Sequence, residues 1–231
     1  MSRVLLVVGV ALALALAVLA FWPDLEASLF DLSFSAEKSI SRLQCPLALT
    51  PSEAGQIRAT FSNPTDRRVQ FLVRARITRG SLSVMRREDT AVVLEPGDEQ
   101  TLHWDISAEN VAYDRMILAR IYALPSFPLP LRQRTCGIYL LRLPGSSGRA
   151  VVTTAAVVSL VSLGLGSALW RRFERPQAGR RNATRTIGAI AGLSLLAMGA
   201  SMLGWWVVGL LSLVALMLLV AVLLERRLLG R

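Results

Sequence analysis

The chain has 231 residues, 53% of them apolar, with a mean hydropathy of +0.47 and a formal net charge of +10. That apolar share exceeds what one soluble core of this length needs, so lipid is expected to be part of the solvent. Residues 23–149 carry 16 Lys+Arg against 14 Asp+Glu, and the basic excess sits in Arg3, in Arg171–Arg185 and in Arg226, Arg227 and Arg231; each piece flanks an apolar run, which reads as membrane sidedness and argues against nucleic acid as a partner.

Val4–Trp22 is an uncharged run of about 19 residues, long enough at 1.5 Å per residue to cross the hydrocarbon core. It reads as a transmembrane anchor over residues 1–22. A signal peptide is the alternative, supported by small residues around Ala15, Ala17 and Ala20 but opposed by the length of the run and by bulky Phe21, Trp22 and Pro23. Residues 23–42 form a juxtamembrane stalk, with Leu25, Leu29 and Leu32 at helical spacing.

From Leu43 the periodicity changes to two. Val69, Phe71, Val73, Ala75 and Ile77 share one face, and Gln70, Arg74 and Arg76 share the other. Seven strands are expected near 43–49, 56–62, 69–78, 90–94, 99–106, 115–124 and 135–143. Asn63-Pro64-Thr65-Asp66 and Glu95-Pro96-Gly97-Asp98 supply turn chemistry between them. The domain over 43–144 is therefore expected to be an antiparallel β-sandwich.

The two cysteines lie in this domain. Cys45 is in phase with Leu43, Leu47 and Leu49, and Cys136 with Ile138 and Leu140. Both should face the core of an exported domain, which predicts a Cys45–Cys136 disulfide, with two buried thiols as the alternative. Between the last two strands, Pro125, Phe127, Pro128, Leu129, Pro130 and Leu131 make an extended apolar segment. It either packs on the end of its own domain or contacts a protein partner or lipid.

Ala150–Trp170 is the next span, stopped by Arg171, Arg172 and Arg175 at the start of a basic cytoplasmic loop over 171–186. Residues 187–224 are uncharged for about 38 positions, about 57 Å as one helix, which predicts a hairpin reversing near Gly204, Trp205 and Trp206. A cytoplasmic tail over 225–231 follows. The spans hold no ionisable residue, which argues against a proton relay or an ion path. Gly188 and Gly192 form a GxxxG suited to helix packing.

Chemistry-bearing constellations are few. His103 is the sole histidine and falls on the outward face beside Trp104, so neither a catalytic triad nor a histidine-rich metal site can be assembled. Glu88, Asp89, Glu95, Asp98 and Glu99 lack calcium-loop spacing. No nucleotide-binding glycine pattern or nucleophile elbow occurs outside the apolar spans. No catalytic residue, metal or cofactor is expected.

The phrases Ala59-Thr60-Phe61-Ser62-Asn63-Pro64-Thr65, Val92-Val93-Leu94-Glu95-Pro96-Gly97-Asp98 and Thr101-Leu102-His103-Trp104 resemble bacterial immunoglobulin-like domains of the CARDB and adhesion-module type over residues 43–143. The resemblance implies a non-catalytic spacer or binding unit and carries no site residues across. A bacterial source also fits the excess of arginine over lysine.

Together these readings predict a membrane protein of four transmembrane α-helices plus one extracytoplasmic all-β immunoglobulin-like sandwich. It would be multi-pass in a bacterial cytoplasmic membrane, with both termini cytoplasmic and residues 23–149 outside. The expected function is a non-catalytic scaffold or interaction protein; the alternatives are an accessory subunit of a transport or export complex, or a hydrolase with an unrecognised site. Membrane lipid and a protein are the expected partners.

Overall fold

The computed structural model describes residues 2–29, 38–40, 42–124, 130–143, 145–173, 181–202 and 206–229. In chain order the elements are helix α1 (Ser2–Leu29), strands β1 (Lys38–Ser39), β2 (Arg42–Gln44), β3 (Ala48–Leu49), β4 (Gly55–Ser62), β5 (Val69–Arg79), β6 (Ser81–Leu94) and β7 (Glu99–Ile106), a 3₁₀ turn at Ala108–Asn110, strands β8 (Met116–Ala123) and β9 (Arg132–Leu140), and helices α2 (Gly148–Phe173), α3 (Arg181–Met202) and α4 (Trp206–Leu229). The chain divides into a β unit, Trp22–Ala150, and a helical unit, Met1–Phe21 with Val151–Arg231.

The β unit contains a six-stranded sheet of order β1-β9-β8-β5-β6, with β3 also on β9, and a three-stranded sheet of order β2-β4-β7. Period-two residues from both sheets meet in one core: Ile57, Ala59 and Phe61 of β4 and Trp104 and Ile106 of β7 join Phe71, Val73, Ile77, Val92, Ile117, Ile121 and Ile138. Phe61 and Phe71 stack at a tilt with ring centroids 5.7 Å apart.

The expectation of four crossings and an antiparallel all-β immunoglobulin-like sandwich is overturned on two counts. First, the larger sheet is mixed, with parallel pairs on β9. The expected strand 43–49 breaks at Pro46, which cannot donate to a ladder. Its first part, β2, pairs antiparallel with β4, whereas Ala48–Leu49 lies parallel to Tyr139–Leu140 of β9. Lys38–Ser39 takes up another part of β9, also in parallel. Second, among the described residues only Val4–Leu29 and Gly148–Trp170 are long and apolar enough to cross a membrane. The apolar stretches of the other two helices among the described residues, Gly188–Ala200 and Val207–Leu219, fall short of the ~20 residues a crossing needs. Arg181 and Arg185 of the expected loop are helical residues of α3.

Of the expected stalk, residues 23–29 are helical. Helix α1 runs without interruption through Pro23 to Leu29. Its end packs on the outer face of the six-stranded sheet, where Ala27 meets Met116 and Leu118. Asp24 Oδ1 accepts a 3.0 Å hydrogen bond from the Gly137 amide. This cover accounts for the burial of Met116 and Leu118 on the outer face of β8.

In the helical unit, a side chain at Gly9 would meet Leu163 and one at Gly166 would meet Leu6, and Ser159 Oγ donates to the Gly9 carbonyl at 2.8 Å. Paired positions that run in opposite senses make α1 and α2 antiparallel, brought close by their glycines. Helices α3 and α4 pack against each other.

Asn63 joins the two expected turns. Its buried side chain donates to the carbonyls of Arg67, Leu94 and Glu95 at 2.7, 3.2 and 3.1 Å and accepts from the Thr65 amide and hydroxyl. Gly97, at φ 82°, closes the Glu95–Asp98 turn and donates to the Asn63 carbonyl at 3.0 Å. Replacing Asn63 with Ala strips partners from buried carbonyls and is expected to cost about 2 kcal/mol. Denaturant titration of the full chain in detergent checks this; a loss under about 0.5 kcal/mol would refute the linking role.

Candidate functional site

The Cys45–Cys136 disulfide is present, with Cα atoms 6.5 Å apart. It ties the segment following β2 of the smaller sheet to β9 of the larger one, so it is a structural link between sheets. The other expected sites are scattered. Pro125, Phe127, Pro128 and Leu129 lie outside the described residues, and Pro130 and Leu131 are half-buried before β9. Gly188 is exposed, and the Cβ positions of Gly188 and Gly192 would meet nothing within 4 Å among the described residues.

His103 is exposed on β7, across from Arg58. Four of the five acidic residues weighed as calcium ligands, Glu88, Asp89, Glu95 and Glu99, are paired with arginines. Glu95 pairs with Arg68 at 3.4 Å, Glu99 with Arg42 at 3.1 Å, and Glu88 with Arg86. Asp89 is gripped by Arg87 and by Arg74, whose Nε and Nη2 donate at 2.8 and 3.1 Å. The hydrogen bonds from Arg87 and Arg74 hold its carboxyl well below the usual carboxylate range. Nearby, the guanidiniums of Arg76 and Arg120 lie 5.8 and 5.7 Å from the centre of the buried Tyr122 ring, as cation–π contacts require. No group of three or more His, Cys, Asp or Glu among the described residues is placed to hold a metal ion.

A cleft of about 440 Å³ opens where β8 begins and β9 ends, lined by Tyr113, Asp114, Arg115, Tyr139, Leu140, Leu141 and Arg142. Its rim is a tight turn in which the Arg115 amide donates to the Ala112 carbonyl at 3.1 Å. Tyr113 and Asp114 both adopt the left-handed region, at φ 51° and 54°. Aspartate tolerates that region, but an aromatic residue there is strained by about 1–2 kcal/mol.

The turn holds because both of its flanks are fixed. Upstream, buried Thr78 donates from Oγ1 to the Asn110 carbonyl at 2.7 Å, accepts from the Leu118 amide at 3.1 Å, and receives Asn110 Nδ2 at its own carbonyl. Downstream, the Leu140 amide donates to the Arg115 carbonyl at 2.6 Å. Arg142 Nη2 donates to the Asp114 carbonyl at 3.3 Å and lies 3.6 Å from its carboxylate. The result is an aromatic and guanidinium-lined recess on a rigid base. Sequence reasoning passed it over because Ala112-Tyr113-Asp114-Arg115 has no glycine, asparagine or proline to announce a turn.

The cleft adjoins the chain's entry into α2. The Leu141 amide donates to the Leu49 carbonyl at 2.8 Å. Gly148, the first residue of α2, abuts the Ala48 and Leu49 backbone, and its amide donates to Glu53 Oε2 at 2.8 Å.

No family model matches the chain, and no curated protein matches it. Among solved structures it is similar to a cycloisomaltooligosaccharide glucanotransferase of Paenibacillus sp., at 17% identity over 46% of this chain and 14% of that one, with a TM-score of 0.35. It is also similar to a β-glucosidase of Listeria innocua (16% identity, 43% and 15% covered, TM-score 0.31) and to the β-glucosidase EmGH1 of Erythrobacter marinus (22%, 43% and 14%, TM-score 0.30). The chain spans about one-seventh of the length of these enzymes, and likenesses at these TM-scores define neither its fold nor its activity.

Proposed function

We propose that the protein is a non-catalytic, membrane-anchored interaction module, displaying its β unit on the extracytoplasmic face of a bacterial membrane to engage another protein. The observation that carries this reading is the way the β unit is attached: its chain enters through α1 and leaves through α2, two span-length apolar helices packed antiparallel. Helices of that length crossing in opposite senses return the chain to the side it left and keep the intervening residues on the opposite side. The disulfide supports an oxidising compartment for that side. The arginine-paired carboxylates and the exposed, solitary His103 support a binding role over a catalytic one.

Protease added to intact bacterial spheroplasts carrying the full chain should digest the β unit, and Cys45 and Cys136 should resist thiol reagents in the denatured protein until reductant is added. Digestion only after lysis, together with two reactive thiols before reduction, would refute the reading. A transport protein co-purifying in fixed proportion would reassign the chain as an accessory subunit.

A further inference from the structure

We infer that the cleft between Tyr113–Arg115 and Tyr139–Arg142 holds the phosphate of a glycerophospholipid headgroup. The inference rests on the membrane-anchored reading above. Its basis is the donor set and its place in the chain. Arg115 is exposed and has no ion-pair partner among the described residues. Arg142 reaches from the other lip to the Asp114 carbonyl, next to Arg115, and its ion pair with Asp114 is solvent-exposed on both sides, at 67% and 90%, so it competes weakly with a ligand. Two guanidiniums lining one recess suit a phosphodiester, whose oxygens accept their forked N–H groups.

The apolar rim suits a lipid more than a free phosphate. Tyr113 at the rim is 56% exposed, and Tyr139, Leu140 and Leu141 line the wall. An aromatic ring with a polar tip is the side chain favoured at the headgroup level.

Position supplies the source. Arg142 stands six residues before Gly148, where the apolar helix begins, and six residues reach at most about 20 Å. Leu141 pairs with Leu49, and Gly148 lies against that same backbone, so the cleft and the helix entry share one rigid corner of the β unit. A cleft so placed lies where the headgroups of the surrounding leaflet are concentrated. Strain at Tyr113 fits the same role, because it keeps a bulky ring at the rim where an unstrained turn would place glycine or asparagine.

The test uses the full chain in a non-ionic detergent, with retained lipid read by native mass spectrometry. Dioleoyl phosphatidylglycerol is the probe, and dioleoylglycerol and inorganic phosphate are the comparisons. Wild-type protein should retain phosphatidylglycerol and discard dioleoylglycerol. The double variant Arg115→Ala/Arg142→Ala should bind at least tenfold more weakly, whereas Arg58→Ala, on the smaller sheet, should bind as wild type. Undiminished lipid retention by the double variant overturns the inference. Inorganic phosphate displacing the lipid at equal concentration also overturns it, by making a free phosphate the ligand. Liposome flotation separates the two levels: wild-type protein that fails to float sinks the anchoring reading, whereas variants that float as wild type while keeping their lipid sink only the cleft. An intact Cys45–Cys136 bridge in each variant, read by thiol labelling, verifies that the β unit has folded.

Discussion

Replacing Cys45 and Cys136 with alanine is expected to lower the stability of the β unit by about 4–5 kcal/mol, from the chain entropy regained when a loop of 91 residues is opened. The magnitude follows from sequence separation, because strands β3 to β8 and the first half of β9 lie inside the loop. The geometry adds a second effect. Cys45 follows β2, and the chain then changes sheets at Pro46, so the bridge fixes the one segment whose pairing is divided between the two sheets. Reduction of wild-type protein separates the bridge from the packing of the sulfur atoms, since it opens the loop without deleting side chains. Denaturant titration in detergent, with and without reductant, should show most of the loss in the reduced wild type. A difference below about 1 kcal/mol would mean that the reduced chain keeps the bridge region ordered by other contacts.

The disulfide was legible in the sequence because each cysteine is in phase with apolar neighbours along an alternating segment. The same alternation marked β4, β5, β7 and β8. It failed for the first half of β6, where Ser81–Asp89 reads as polar, yet Arg87–Asp89 and Arg74–Asp89 pairs let a charged strand lie beside β5. Strand 43–49 was misread because period two identifies extended chain but not its partner, and the parallel contact with β9 is made by residues more than 80 positions away. The candidate cleft was invisible for a different reason. Tyr113 adopts a backbone conformation that its residue type does not favour, and long-range contacts, the Thr78–Asn110 network, the Leu140–Arg115 bond and the Arg142–Asp114 bond, hold the turn there. In the helical unit, uncharged length alone suggested a hairpin crossing the membrane; the described apolar stretches of α3 and α4 are too short for that.

Substituting Gly137 with valine is expected to cost about 3–4 kcal/mol, and the reason lies in how α1 meets the sheet. Cys136 and Ile138 point into the core, so Gly137 faces outward, directly beneath the helix. A Cβ there would overlap the carbonyl carbon and oxygen of Pro23. Backbone cannot rotate aside as a flexible side chain can, so the end of α1 must lift away. Overpacking of this kind costs about 1–3 kcal/mol. Lifting also breaks the Gly137–Asp24 hydrogen bond, a charged pairing that contributes about 1.5–3 kcal/mol, and uncovers Met116 and Leu118, losses that overlap with the overpacking itself. The overlap is measurable. Asp24→Ala alone should cost about 1–2 kcal/mol, and adding it to Gly137→Val should cost almost nothing further, because the bond it removes is already broken. Fully additive losses in denaturant titrations of the full chain would show that α1 keeps its seat in the valine variant. That outcome would refute direct contact between Pro23 and β9 as the feature that joins the first helix to the β unit.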